Sequence, residues 1–255
     1  MIELNRIYNE DCLEGMKRIP AGSVDMILCD LPYGTTQNRW DSVIPFEPLW
    51  EQYNRVIKAN GAIVLTATQP FTTALINSNP NEFRYLMVWN KKSTTGFLNA
   101  RRQPLRQHED VLVFYRRQPT YNPQMATRGM PRNKGFYNKR KGNGDGCYGR
   151  FENQKSKNNT YYPTSIIEFS NAHQSAKVHP TQKPVELFEY LIKTYTNEGE
   201  TVLDNCIGSG TTAIACINTG RNFIGFEIDR HYCDIANERI RKALAEEEMT
   251  AEMMR

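Results

Sequence analysis

No Cys-x-x-Cys pair occurs among the six cysteines at 12, 29, 147, 206, 216 and 233, and the four histidines at 108, 173, 179 and 231 show no His-x-x-x-His spacing. Zinc sites draw on such pairs, so no metal is expected and the cysteines read as reduced, buried thiols. Also missing is any apolar run near the roughly 18 residues a membrane helix needs, so no membrane partner is expected. The opening dozen residues hold Glu3, Arg6, Glu10 and Asp11, which speaks against a secretory leader and for a cytosolic protein. There is no internal repeat.

What is present suits one medium-sized domain with an elaboration. The chain has 255 residues, of which 39% are hydrophobic, enough for a globular core. Its net charge of +4 is unevenly spread. Residues 128–157 carry nine Lys/Arg and two Asp/Glu, a local +7, which leaves the rest near −3. A basic segment on a slightly acidic body points to a polyanion met at one place.

Short apolar runs alternate with amphipathic ones, the pattern of an α/β sheet. Strands are predicted over 4–8, 24–29, 62–67, 85–89, 111–115, 201–203 and 223–226, and helices over 49–59, 185–195, 211–218 and 232–245. Pro48 and Pro184 suit the start of a helix, and Gly61 and Gly220 are expected just past helix ends. Residues 118–175 break the rhythm. Glycines at 129, 135, 142, 144, 146 and 149 alternate there with basic residues and with Phe136, Tyr137, Tyr148 and Phe151. Stacking surfaces beside phosphate-seeking charges suit nucleic-acid contact; a solvated loop is the alternative.

The short strand at 201–203 runs into Asp204-Asn205-Cys206-Ile207-Gly208-Ser209-Gly210-Thr211-Thr212 and then a helix. Glycines allow a sharp turn and close approach to a ligand, and the helix start offers free N–H donors. Glu227, after the next strand, is placed to grip ribose hydroxyls. The same segment fits a G-x-G-x-x-A dinucleotide fingerprint, so a nicotinamide dehydrogenase stays open on these residues alone.

At the end of the strand 24–29 stand Asp30-Leu31-Pro32-Tyr33. An amino group on a nucleic-acid base is a poor nucleophile, because its lone pair is delocalised into the ring. Two acceptors, the Asp30 carboxylate and the Leu31 carbonyl, can hold its two hydrogens and favour a pyramidal nitrogen. Tyr33 can stack on a base taken out of its helix.

The chain resembles the amino-group DNA methyltransferases, whose two marks are a D-P-P-Y tetrapeptide and a D-P-F-x-G-S-G-T-T loop. Here they read Asp30-Leu31-Pro32-Tyr33 and Asp204 to Thr212, in that order, with the basic insertion between them. That order is similar to the family's beta group. Asn9-Glu10-Asp11-Cys12-Leu13, His108-Glu109-Asp110 and His179-Pro180-Thr181-Gln182-Lys183-Pro184 extend the likeness. Leu31 departs from the first proline, and Asn205-Cys206 from Pro-Phe.

The resemblance implies a Rossmann-like methyltransferase fold, a seven-stranded and mostly parallel sheet, circularly permuted. Residues 1–117 would be its catalytic half, 118–175 a target-recognition insertion and 176–255 the cofactor-binding half. It implies S-adenosylmethionine as cofactor, with S-adenosylhomocysteine as product. Asp11 and the Cys12 backbone would meet the adenine, Glu227 the ribose, and Gly208, Ser209 and Gly210 the methionine portion. Thr181 and Lys183 would meet its carboxylate, and Asp30, Asp204, Cys206 and Thr211 complete the set. Asp30, Leu31, Pro32 and Tyr33 would form the catalytic turn, with Leu31 giving only its backbone carbonyl. Arg128, Arg132, Lys134, Lys139, Arg140, Lys141 and Arg150 would contact double-stranded DNA. The family group often forms homodimers, and it sits in prokaryotic or phage-like cytosol in a restriction-modification context. The implied reaction is methylation of the adenine 6-amino group at a specific site in DNA. A cytosine 4-amino enzyme and a DNA-binding relative that has lost catalysis through Leu31 and Cys206 are the alternatives.

Overall fold

The computed structural model describes residues 2–34, 42–133, 157–171 and 182–253. It divides into two compact units, Met1–Asn122 with Ser165–Arg255, and Pro123–Thr164. The first unit is built on one sheet, whose order is β1 (Arg6–Tyr8), β10 (Asn222–Phe226), β9 (Thr201–Asp204), β2 (Val24–Asp30), β3 (Ile57–Ala67), β5 (Arg106–Phe114), β4 (Phe83–Thr95) and β8 (Ile166–Glu168). Only β5 runs antiparallel to its neighbours. The seven strands read from the sequence are all present, and β8 adds an eighth. At three residues β8 is too short to show a period.

Helices cover both faces, which is why the central strands are apolar nearly throughout. Met26, Leu28, Ala62, Val64, Val111 and Val113 pack toward α4 (Val185–Tyr195), α5 (Thr211–Asn218) and α6 (Arg230–Met253). Their alternates Ile27, Cys29, Ile63, Leu65, Leu112 and Phe114 pack toward α1 (Cys12–Met16), α2 (Phe46–Val56) and α3 (Phe71–Ser78). The strict change of side along each strand follows from the two-residue strand period.

Several expectations change in detail. Gly61 does not follow a helix; α2 ends at Val56, and Gly61 lies inside β3, where a Cβ would fall 2.8 Å from the Asp25 carbonyl oxygen. Two strands crowd there and leave room for no side chain. Gly220, by contrast, follows α5 with a φ of 68°, as a helix end requires. The short helices α1 and α3 had no legible period.

The second unit is narrower than the insertion 118–175. Asn122 still belongs to the sheet unit, where its backbone N–H donates to the Thr194 carbonyl at 2.8 Å, and so does β8. Within Pro123–Thr164 two strands, β6 (Ala126–Asn133) and β7 (Lys157–Tyr161), pair antiparallel with Ala126 opposite Tyr161. Among the described residues no helix is long and apolar enough to cross a membrane. No cluster of His, Cys, Asp and Glu among them could hold a metal ion.

Candidate active site

The chain leaves β9 toward β10 on one side of the sheet and leaves β2 toward β3 on the other, so β9 and β2 are neighbours that diverge. Such a divergence opens a crevice at the strands' carboxyl ends. Asp204 ends β9, Asp30 ends β2, and both border a cleft of about 840 Å³. That volume suits a nucleoside-sized ligand with room to spare.

On the β2 side a chain of charges closes over Asp30. Its Oδ1 accepts from the Tyr33 hydroxyl at 2.6 Å and from the Thr66 hydroxyl. Its Oδ2 faces the Lys183 ammonium at 2.8 Å. Lys183 also stands 3.2 Å from Glu109 Oε2, and Lys91 stands 3.1 Å from Glu109 Oε1. Two ammoniums and two carboxylates thus balance with little water. Burial pushes the Glu109 carboxyl up, but Lys183 and Lys91 outweigh it and leave its pKa lowered. Burial would lower Lys183, yet Asp30 and Glu109 hold it raised. Burial, with the negative charges of Asp30 and Glu109, pushes the Tyr33 hydroxyl well up, so it stays a donor. A carboxylate has about four acceptor positions, so the three donors on Asp30 leave room for one more.

The β9 side is held by backbone N–H groups. Asp204 is buried; its Oδ1 accepts from the Cys206 N–H at 3.1 Å and its Oδ2 from the Thr212 hydroxyl. Burial pushes its carboxyl up to about 7, against those hydrogen bonds. Glu227, at the end of β10, accepts from the Gly208 N–H at 2.9 Å and the Asp229 N–H at 2.8 Å. Burial raises its carboxyl too. Gly208 and Gly210 have φ of 55° and 84°, in the left-handed region. A Cβ on Gly208 would meet nothing within 4 Å, whereas one on Gly210 would meet Ala236 of α6 at 3.0 Å. The first glycine therefore gives the turn and leaves open space; the second also lets α6 pack close. Arg239 of α6 donates to the Ser209 carbonyl and, at 3.2 Å, to its hydroxyl, which ties down the loop.

Most of the expected site residues meet at this one cleft. Asp30, Leu31, Pro32 and Tyr33 border it, as do Asp11, Cys12 and Lys183. Asp204, Cys206, Gly208, Ser209, Thr211 and Glu227 line the other side. Gly210 is the N-cap of α5. Thr181, Lys134, Lys139, Arg140, Lys141 and Arg150 lie outside the described residues, and Arg128 and Arg132 fall on β6.

Three of these residues also have contacts of their own within the chain. Lys183, expected on the cofactor's carboxylate, has its ammonium between Asp30 and Glu109, because those buried carboxylates need a cation. The Leu31 side chain is 4% exposed and belongs to the core shared with α1, α2 and α3. Asp11 caps α1, accepting from the Leu13 N–H at 2.8 Å and the Glu14 N–H at 3.2 Å.

Glu109, Lys91, Thr66 and Arg239 were not assigned from the sequence. Only Glu109 had a signal, the His108-Glu109-Asp110 likeness. Asn205 fills the place of the family's proline differently, accepting from the buried Tyr53 hydroxyl at 2.5 Å and donating weakly to the Cys12 and Cys206 sulfurs at 3.5 Å.

A family model described as DNA methylase matches residues 24–238 of this chain, which takes in both halves of the cleft. The chain belongs to the DNA methylase family. Among curated relatives, this methylase is 27% identical over 248 residues to the type II methyltransferase M.HpaI of Haemophilus parainfluenzae, covering 92% of this chain and 74% of that one. It is likewise 27% identical over 256 residues to the DNA adenine methyltransferase YhdJ of Escherichia coli (strain K12), covering 93% and 83%. A crystal structure of an M1.HpyAVI–SAM complex superposes with a TM-score of 0.60 at 24% identity, covering 92% of this chain and 98% of that one. At that identity the likeness speaks for the fold of this methylase. The dehydrogenase reading of the glycine loop falls with the family match.

Proposed function

We propose that this methylase transfers a methyl group from S-adenosylmethionine to the 6-amino group of adenine at a specific short sequence in double-stranded DNA. One observation carries the reading: Asp30 stands at the carboxyl end of β2, beside the glycine loop, with an acceptor position to spare.

The residues fit the cofactor's chemistry. Gly208 faces open space at the loop, and the carboxylates of Asp204 and Glu227 suit a cationic ligand that carries ribose hydroxyls. When bound, S-adenosylmethionine supplies a methyl group activated by an adjacent sulfonium. Asp30 and the Leu31 carbonyl accept the two amino hydrogens and aim the nitrogen lone pair. Lys183, Tyr33 and Thr66 hold the Asp30 carboxylate in one orientation, so little reorganisation is needed at the moment of transfer. Tyr33 packs against Phe71, with centroids 5.0 Å apart, which keeps its ring beside the path of an extruded base.

The basic stretch around residues 128–157 is read as the target-recognition element, on its local +7 charge. Neutralising Lys139, Arg140 and Lys141 should lower the salt slope of DNA binding by up to about 0.9 for each phosphate that is no longer neutralised. An unchanged slope would remove them from the interface.

Sequencing DNA from cells that express this chain, with modification detection, tests the whole reading. N6-methyladenine at one short motif is expected. N4-methylcytosine would install the cytosine alternative, and unmodified DNA would favour an inactive relative.

A further inference from the structure

β4 and β5 form a hairpin whose closing loop leaves the sheet at the catalytic edge. β5 runs antiparallel to both β3 and β4, so β4 points the same way as β2 and β3 and ends on the side of Asp30. The hairpin last pairs at Thr95 and Arg106, which both border the cleft. Residues 96–105 between them are all exposed. At the tip, consecutive Phe97 and Leu98 are 78% and 85% exposed.

The tip is not a loose end. Gly96, with a φ of 87°, starts a 3-10 turn over Phe97–Asn99, and the Asn99, Ala100, Arg102 and Gln103 N–H groups each donate within the loop at 2.8–3.1 Å. Residues 91–108 hold Lys91, Lys92, Arg101, Arg102 and Arg106 and no acidic residue. Among the described residues, none of these three arginines has a carboxylate partner. An ordered knuckle with two apolar side chains in water, ringed by unpaired arginines, marks a binding surface for an anionic partner with an apolar interior.

We propose that this loop is a wedge that enters duplex DNA beside the target base, with Phe97 and Leu98 filling the gap in the stack and Arg101 and Arg102 on the flanking phosphates. The inference rests on the proposed reaction with duplex DNA. A base inside a duplex cannot reach Asp30 in the cleft, so it has to leave the stack. Apolar side chains are what other proteins insert between separated base steps. Preordering the turn keeps the entropy loss on insertion small. A second copy of the chain is a poorer occupant, since a two-fold contact would bring like charges together.

The test uses the full chain and two synthetic duplexes carrying its mapped site, one fully paired and one with an abasic position opposite the target adenine. Phe97→Ala with Leu98→Ala should slow single-turnover methylation of the paired duplex by at least about tenfold, since burial of even one such apolar side chain is worth a factor of that order. Most of that loss should vanish on the duplex whose target is already unpaired. Melting temperature and cofactor affinity should stay unchanged, because both side chains are exposed. Arg101→Gln with Arg102→Gln should flatten the salt slope by up to about 0.9 for each phosphate that is no longer neutralised. Equal loss on both duplexes, or no loss on either, would overturn the wedge. So would a change from dimer to monomer on sedimentation with the paired-to-unpaired ratio unaltered, which would assign the tip to a second copy. If wild type methylates neither duplex at adenine, the proposed reaction fails, and with it the reading on which the wedge rests.

Discussion

Replacing Lys183 with Met removes the cation shared by Asp30 and Glu109, with Nζ distances of 2.8 and 3.2 Å. The side chain is 9% exposed and its partners 21% and 13%, so solvent screens the loss only weakly. Leaving a buried charge without its partner typically costs about 3–5 kcal/mol. The protein has a cheaper exit, which is to protonate one carboxyl. From an ordinary pKa near 4.3 that costs about 4 kcal/mol at pH 7 but only about 1 kcal/mol at pH 5. For a chain of this size each kcal/mol moves the melting temperature by about 2–4 °C, so the variant should melt about 10 °C lower at pH 7 and about 3 °C lower at pH 5.

The sign follows from linkage. In wild type the Glu109 pKa is lowered, so its contribution is present above the unfolded value and lost as pH falls through the folded one. In the variant a carboxyl is raised, so its deficit appears as pH rises. Both effects close the gap in acid. Thermal melts of the two proteins at pH 5 and pH 7 provide the comparison. A deficit of the same size at both pH values would refute the ion cluster. An unchanged melting temperature with a large loss of S-adenosylmethionine affinity would favour Lys183 acting on the cofactor's carboxylate.

Asp30→Ala should keep cofactor binding, measured by calorimetry, and slow methyl transfer about a hundredfold or more, as loss of one preorganised group does elsewhere; normal turnover would remove Asp30 from the chemistry. Glu227→Ala should weaken the cofactor by about 1.5–3 kcal/mol, the range for a charge-assisted hydrogen bond, and also free the Gly208 N–H. Burial pushes the Asp204 carboxyl up to about 7, so its contribution to stability is present in acid and lost as pH rises through that value. Asp204→Asn should therefore melt higher than wild type at pH 8 and lose that advantage near pH 4; a lower melt at pH 8 would mean the ionised form is the stabilised one. Leu31→Pro should leave turnover within about tenfold, since the carbonyl stays. It should cost about 1–3 kcal/mol in urea denaturation, because a buried side chain is reshaped; an unchanged midpoint would deny the packing seen for Leu31.

The central strands, α4 and α5 were legible because each combines a clear period with local stop signals. Residues 185–195 and 211–218 match the observed helices at both ends. Proline and glycine act there through their own backbone limits, which no distant contact can revise. Gly61 shows the converse. Its surroundings come from Asp25 on a neighbouring strand, and a strand crowding invites the same residue as a helix end.

The two motifs carried enough local chemistry to name the acceptor turn and the glycine loop, and to place both at strand ends. The sequence also determined the order of the elements and thereby the permuted topology. Which of these side chains touch one another was decided by tertiary structure alone. Lys183 meets Asp30 across 153 positions of sequence only because β2 and the start of α4 converge on one cleft. Glu109 and Lys91 join them because β4 and β5 pair in the register that sets Trp89 opposite Glu109. Charge partners at such separations leave no periodic trace, since Coulomb attraction depends on where the fold brings two groups and not on their spacing along the chain.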